Sequence, residues 1–113
     1  MTFVIGVGCI DVKDRRCVSV CPVDSIYEGD RKLYIQPDEC IDCGACEAAC
    51  PEQAIFIEDD PIEGEEWTIA DNADFFSRPL PGRDEPLGSP GGAAGTGIVG
   101  VDTPAVAGWS APA

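Results

Sequence analysis

Apolar residues arrive in four short runs, at 3–5, 25–28, 33–35 and 54–57, each bounded by Gly, Pro, Asp or Gln. Runs this short, rich in Val, Ile, Tyr and Phe, read as strands. Residues 29–32 (GDRK) join the middle two as a hairpin loop. Between the strands, 17–21 and 44–50 each hold one or two helical turns, and Pro22 and Pro51 close them. Proline drives the preceding residue out of the α region, so each helix ends there. Two stretches recur. Residues 3–12 (FVIGVGCIDV) match 34–43 (YIQPDECIDC) with one small gap, and 17–27 (CVSVCPVDSIY) match 46–56 (CEAACPEQAIF). Such repetition predicts a pseudo-twofold unit in which neither half has its own core.

Beyond residue 57 the pattern changes. Residues 58–61 (EDDP) form an acidic exit. Residues 63–76 carry Trp67, Ala70, Ala73 and Phe76 near helical spacing, which predicts a helix with that face inward. From Pro79 onward the chain is rich in Pro, Gly and Ala and shows no helical pattern. Its expected anchors are the 98–101 run (IVGV) and Trp109, lying against the domain or a partner. The expected division is 1–58 as the main domain, 59–78 as a helical extension and 79–113 as a wrapping tail. The fold class is α+β: two hairpin-like strand pairs, two short helices and an extended C-terminal arm.

Charge narrows the function. The 113 residues hold 7 Lys and Arg against 21 Asp and Glu, a formal net charge of -14. Such a surface repels phosphate, which argues against nucleic acid and anionic lipid; its complement is a basic patch on a protein partner. Histidine is absent, which removes Cys2His2 zinc sites and histidine-based acid–base or triad chemistry. No stretch approaches the ~20 apolar residues of a membrane span, and residues 1–5 lack the basic flank of a signal peptide. A reducing cytoplasm is therefore expected, where thiols bind metal more readily than they form disulfides. A domain of only ~60 residues is marginal by burial alone, and metal–thiolate bonds can staple it.

The cysteines supply the chemistry. Residues 40–51 read CIDCGACEAACP, a C-x-x-C-x-x-C-x-x-x-C-P run. The first half repeats it imperfectly: Cys9-Ile10-Asp11-Val12 stands where Cys40-Ile41-Asp42-Cys43 stands later, with valine in place of a cysteine. Gly44 suits a loop whose backbone approaches sulfide closely. The run resembles that of bacterial ferredoxins. Cys9, Cys17 and Cys21-Pro22 followed by CIDCGACEAACP closely resemble the seven-iron members, and 71–76 (DNADFF) and 87–92 (LGSPGG) look like the extensions of actinobacterial ones. The resemblance implies a ferredoxin-type double-cluster domain. Cys21, Cys40, Cys43 and Cys46 would hold one 4Fe–4S cluster, and Cys9, Cys17 and Cys50 one 3Fe–4S cluster. Val12 offers no sulfur for a further iron, and all seven cysteines are used. Ser25 stands where many members have a non-ligand cysteine. Three alternatives remain open: Asp11 or Asp14 as a carboxylate ligand to a fourth iron, four-cysteine zinc sites, and disulfides, which would leave an odd cysteine.

The crossed arrangement has consequences. Cys17 and Cys21, like Cys46 and Cys50, are about 6 Å apart along a helix axis, which puts the clusters on the order of 10 Å apart. Ile5, Val18, Ile26, Leu33, Ile35, Ile41 and Ile55 are expected to exclude water around them. Tyr27 and Phe56 occupy equivalent repeat positions, as core or cluster neighbours. The function expected is a soluble, monomeric electron carrier and not an enzyme. It would pass single electrons between a ferredoxin reductase or catabolic oxidoreductase and an acceptor such as a haem monooxygenase. Two other readings are a redox or iron sensor, and an electron-transfer subunit of a larger oxidoreductase.

Overall fold

A computed structural model describes residues 2–13, 15–41 and 43–110. Strand β1 (Phe3–Ile5) pairs antiparallel with β4 (Ile55–Ile57), Val4 opposite Phe56. Strands β2 (Ile26–Glu28) and β3 (Leu33–Ile35) form the second antiparallel pair, Tyr27 opposite Tyr34. Only β2–β3 is a hairpin, closed by the Gly29 N–H on the Lys32 carbonyl at 2.9 Å. The β1–β4 pair joins segments far apart in the chain.

Helices α1 (Arg16–Val20) and α2 (Ala45–Ala49) pack on each other. The residue after each, Cys21 and Cys50, has extended backbone with ψ 114° and 111°, as the following prolines require. Gly44 opens α2 at φ 76°, a left-handed conformation suited to glycine. Its missing Cβ would stand 3.4 Å from the Phe3 ring.

Both faces of the hairpin are buried, and alternation explains how. Ile26, Leu33 and Ile35 face a core shared with Phe3, Ile5, Ile55 and the cysteines. Tyr27 and Tyr34 face a second core built with Phe75, Phe76, Leu80, Val99 and Val106. Tyr34 stacks on Phe75 with centroids 3.8 Å apart, and Tyr27 meets Phe76 edge-on at 5.2 Å. Burying each such side chain contributes roughly 1.5–3 kcal/mol. The C-terminal residues thus complete a core that the cysteine-bearing segment leaves open.

Helix α3 (Trp67–Ser77) starts later than the spacing predicts, and of the four spaced residues only Phe76 is fully inward. Thr68, Asp71, Asn72, Phe75 and Phe76 are buried, whereas Ala70 is exposed and Trp67 is 37% exposed. The apolar count misses this face because half of it is polar. Asn72 acts as a neighbouring strand would: its Oδ1 accepts from the Ile35 N–H at 2.9 Å and its Nδ2 donates to the Ile35 carbonyl at 2.6 Å. Thr103 donates to buried Asp71 at 2.8 Å.

The segment after Pro79, read as lacking helix, contains two single-turn helices, α4 (Ala93–Thr96) and α5 (Pro104–Ala107). Thr103 caps α5 through the Val106 N–H, with Pro104 in the first turn, a favoured pairing at a helix start. Helix α4 is capped from elsewhere: Asp24 accepts the Ala94 N–H at its carboxylate and the Ala93 N–H at its carbonyl, at 2.7 and 2.8 Å. Arg31 gathers the carbonyls of Val106, Ala107 and Trp109 at 2.8–3.2 Å. Val99 is buried and Trp109 packs against the second core. Ile98 does not anchor the segment, being 68% exposed. Among the described residues, no helix is long and apolar enough to cross a membrane.

Candidate metal centres

The seven cysteines line two separate cavities. One is walled by Cys21, Cys40, Cys43 and Cys46 together with Phe3, Ile26, Ile35 and Ile41, and encloses roughly 300 Å3, its open mouth included. The other is walled by Cys9, Cys17 and Cys50 with Ile5, Glu52 and Ile55, and encloses roughly 230 Å3 on the same measure. Each helix serves both. On α1, Cys17 faces the three-cysteine cavity and Cys21, just past the helix end, faces the other. On α2 the sense is reversed, with Cys46 toward the four-cysteine cavity and Cys50 toward the three-cysteine one.

These thiols sit in apolar surroundings. Burial pushes Cys17 and Cys46 up to about 12, with neighbouring thiols adding to the effect, and raises Cys9 as well. A group that resists ionisation this strongly needs a cationic centre to hold it as thiolate. Backbone donors already point at sulfur. The Leu33 N–H reaches Cys9 Sγ at 3.4 Å, and the Ser25 N–H reaches Cys21 Sγ at 3.3 Å with the Ser25 hydroxyl at the same distance. Such bonds stabilise a thiolate and tune the centre it ligates. Among the described residues, no three Cys, Asp or Glu side chains converge as a single metal ion would require. Four and three sulfurs grouped around two cavities suit polynuclear iron–sulfur groups.

Of the water-excluding residues expected, Ile5, Ile26, Leu33, Ile35 and Ile55 are buried and Val18 packs beside them. Ile41 lines the four-cysteine cavity but is 57% exposed. Tyr27 lies in the second core, and Phe56 is buried outside either cavity lining. Val12 is 50% exposed. The Asp11 carboxylate is taken by the Arg31 guanidinium, at 2.7 and 2.8 Å, which holds its pKa below the usual range. Asp14 and Asp42 lie outside the described residues.

Two residues near this region had no signal in the sequence. Glu39 accepts from the Tyr27 hydroxyl at 2.6 Å and from the Ser89 hydroxyl and Gly91 N–H at 2.7 Å, tying the C-terminal arm to β2. Lys32, at the foot of the hairpin loop, is fully buried. A carboxylate before a metal-binding loop and a lysine in a turn both look like ordinary surface charges.

Comparison with known proteins agrees with this geometry. The 4Fe–4S binding domain family matches residues 33–56. A ferredoxin of Mycobacterium tuberculosis is 60% identical over 107 residues, 95% of this chain and 94% of that protein. A ferredoxin of Streptomyces griseus is 54% identical over 108 residues, 95% of this chain and 94% of its own length. A protein named Ferredoxin 7Fe, from Hydrogenibacillus schlegelii, is 55% identical over 80 residues, 69% of this chain and 100% of that protein. With identity this high over nearly the whole length, the chain belongs to the ferredoxin family.

Proposed function

We propose that the chain is a single-electron carrier holding one 4Fe–4S cluster at Cys21, Cys40, Cys43 and Cys46 and one 3Fe–4S cluster at Cys9, Cys17 and Cys50. Ferredoxins are electron carriers rather than enzymes, and this chain is one of them. The observation that carries the cluster assignment is the sorting of seven cysteines into one group of four and one of three around two separate cavities. The relative named for seven irons supports the same total. When bound, the clusters take up and release single electrons. The residues hold, insulate and tune them. The crossing of Cys17 with Cys21, and of Cys46 with Cys50, supports a pseudo-twofold arrangement and a short path between the two sites.

In this reading residues 1–58 carry the clusters, 59–78 brace them through α3, and 79–113 wrap their own domain. The protein acts as a monomer in the cytoplasm. Its electron donor is a reductase or catabolic oxidoreductase, and its acceptor a redox enzyme such as a haem monooxygenase. The docking face surrounds exposed Cys43 and Ile41. Between Lys32 and Arg78 the chain carries no lysine or arginine, so this face suits a basic partner surface.

Iron and sulfide analysis of anaerobically prepared protein, followed by transfer from the reduced form to a haem protein, tests this reading. Iron equal to the sum of one three-iron and one four-iron cluster, with single-electron transfer, is expected. Bound zinc, or iron matching two four-iron clusters, would overturn it.

A further inference from the structure

Residues 88–94 of the C-terminal arm hydrogen-bond to the chain on two sides of the four-cysteine cavity. On one side stands Glu39, which directly precedes Cys40. One of its carboxylate oxygens accepts from the Tyr27 hydroxyl at 2.6 Å, and the other from the Ser89 hydroxyl and the Gly91 N–H, both at 2.7 Å. Hydrogen bonds to an ionised acceptor are shorter and stronger than neutral ones. Gly91 and Gly92 lie at φ 88° and 147°, a path that suits glycine. It turns the Gly91 N–H onto Glu39 and the Gly92 N–H onto the Tyr27 hydroxyl, the latter at 3.0 Å. Gln36 builds the turn into Cys40. Its side-chain oxygen accepts the Asp38 and Glu39 N–H groups, its Nε2 donates to the Gly88 carbonyl at 2.9 Å, and its backbone carbonyl accepts the Cys40 N–H at 3.0 Å.

On the other side stands Asp24. Its carbonyl and carboxylate accept the Ala93 and Ala94 N–H groups at 2.8 and 2.7 Å. Asp24 is a non-glycine residue at φ 54°, a backbone state that its surroundings must hold. Its own N–H donates to the Cys21 carbonyl at 3.4 Å, and the next residue, Ser25, presents its N–H and hydroxyl to Cys21 Sγ. Residues 88–94 thus fasten the backbone beside Cys40 and beside Cys21, two cysteines of one cavity. The rest of the arm is anchored independently, by Val99 and Val106 in the second core and by Arg31 on the last turn. The bonds at 88–94 therefore act locally.

We propose that Glu39 is a positioning residue for the cluster at Cys21, Cys40, Cys43 and Cys46, and that residues 88–94 are the strap that holds it. This rests on the cluster assignment above. Glu39 acts through the backbone of Cys40, and Asp24 through that of Cys21. With both flanks fastened, two of the four sulfurs keep their places whichever charge the site carries. An electron then enters or leaves with no bond of the strap made or broken.

The test is iron loss from anaerobic, dithionite-reduced protein to an excess of a ferrous chelator, in the wild type, Glu39→Ala, Glu39→Gln and Ser89→Ala. Electron paramagnetic resonance follows the four-iron signal in samples frozen reduced and the three-iron signal in samples reoxidised before freezing. Glu39→Ala should lose the four-iron signal about tenfold faster, and Ser89→Ala, which keeps the carboxylate and removes one donor, roughly threefold faster. The three-iron signal should decay as in the wild type. Glu39→Gln keeps an acceptor oxygen in place and should fall between the wild type and Glu39→Ala. A wild-type rate in Glu39→Ala would overturn the proposal. Equal acceleration at both clusters would also overturn it, since that signals loosened packing. If Glu39→Gln matches Glu39→Ala while Ser89→Ala is silent, the carboxylate acts by its charge alone and the strap is refuted. Should Glu39→Ala assemble only the three-iron cluster, that selective loss supports the role; should it assemble neither, Ser89→Ala is read for the same outcomes. Absence of a four-iron signal from the wild type is a different result, which refutes the cluster assignment itself.

Discussion

The two cysteine cavities share a pair of helices and a repeated sequence, yet they meet the outside differently. Around the four-cysteine cavity Cys43 is exposed and Ile41 is 57% exposed, within a stretch that has acids and no lysine or arginine. Around the three-cysteine cavity Cys9 and Cys17 are 5% and 2% exposed. Lys13 and Arg15 nearby both pair with Glu28. One repeat has thus produced a site with an exposed cysteine, Cys43, and a site with none.

The most drastic way to erase the difference is Val12→Cys, which restores the cysteine that the second half has at Cys43. The first site should then assemble four irons, read as extra iron and loss of the three-iron resonance. A site that still holds three irons would mean that Val12 is not the reason for the gap. A second change strikes β3, the strand in the core that holds the cysteines. Asn72→Ala leaves the Ile35 N–H and carbonyl without their side-chain partners. Two buried groups stripped in this way cost about 3 kcal/mol, which a denaturant titration would show as an earlier midpoint with both clusters lost together. Loss of one cluster alone would show that the cavities unfold separately.

The docking contrast is sharpened by salt. Raising ionic strength from low to high should slow electron transfer to a basic haem protein several-fold, because screening removes the steering of an acidic face. A flat rate would place docking elsewhere. The smallest effect concerns the four-cysteine site alone. Ser25→Ala removes a hydroxyl 3.3 Å from Cys21 Sγ and keeps the backbone N–H there. A slight fall in the four-iron potential, with the three-iron potential unmoved, is expected in voltammetry.

Much of the cluster-bearing segment was legible because its signals are local. Short β-branched runs formed the strands, and Pro22 and Pro51 marked where α1 and α2 end. The C-terminal half was less legible because its partners are distant in sequence. The inward face of α3 includes Asp71 and Asn72, polar residues satisfied by Thr103 and by the backbone of Ile35. Helix α4 depends on Asp24, and the last turns of the chain on Arg31. Counting apolar spacing cannot reveal a buried polar face whose partners fold in from elsewhere. Lys32 was hidden for the same reason: its burial depends on α3 and the arm closing over the hairpin loop.

Electron paramagnetic resonance of the untouched protein, oxidised and then reduced with dithionite, tests the inequality of the two sites most directly. A three-iron signal in the oxidised protein, followed by a separate four-iron signal on reduction, is the predicted result. Two four-iron signals and no three-iron signal would contradict the account.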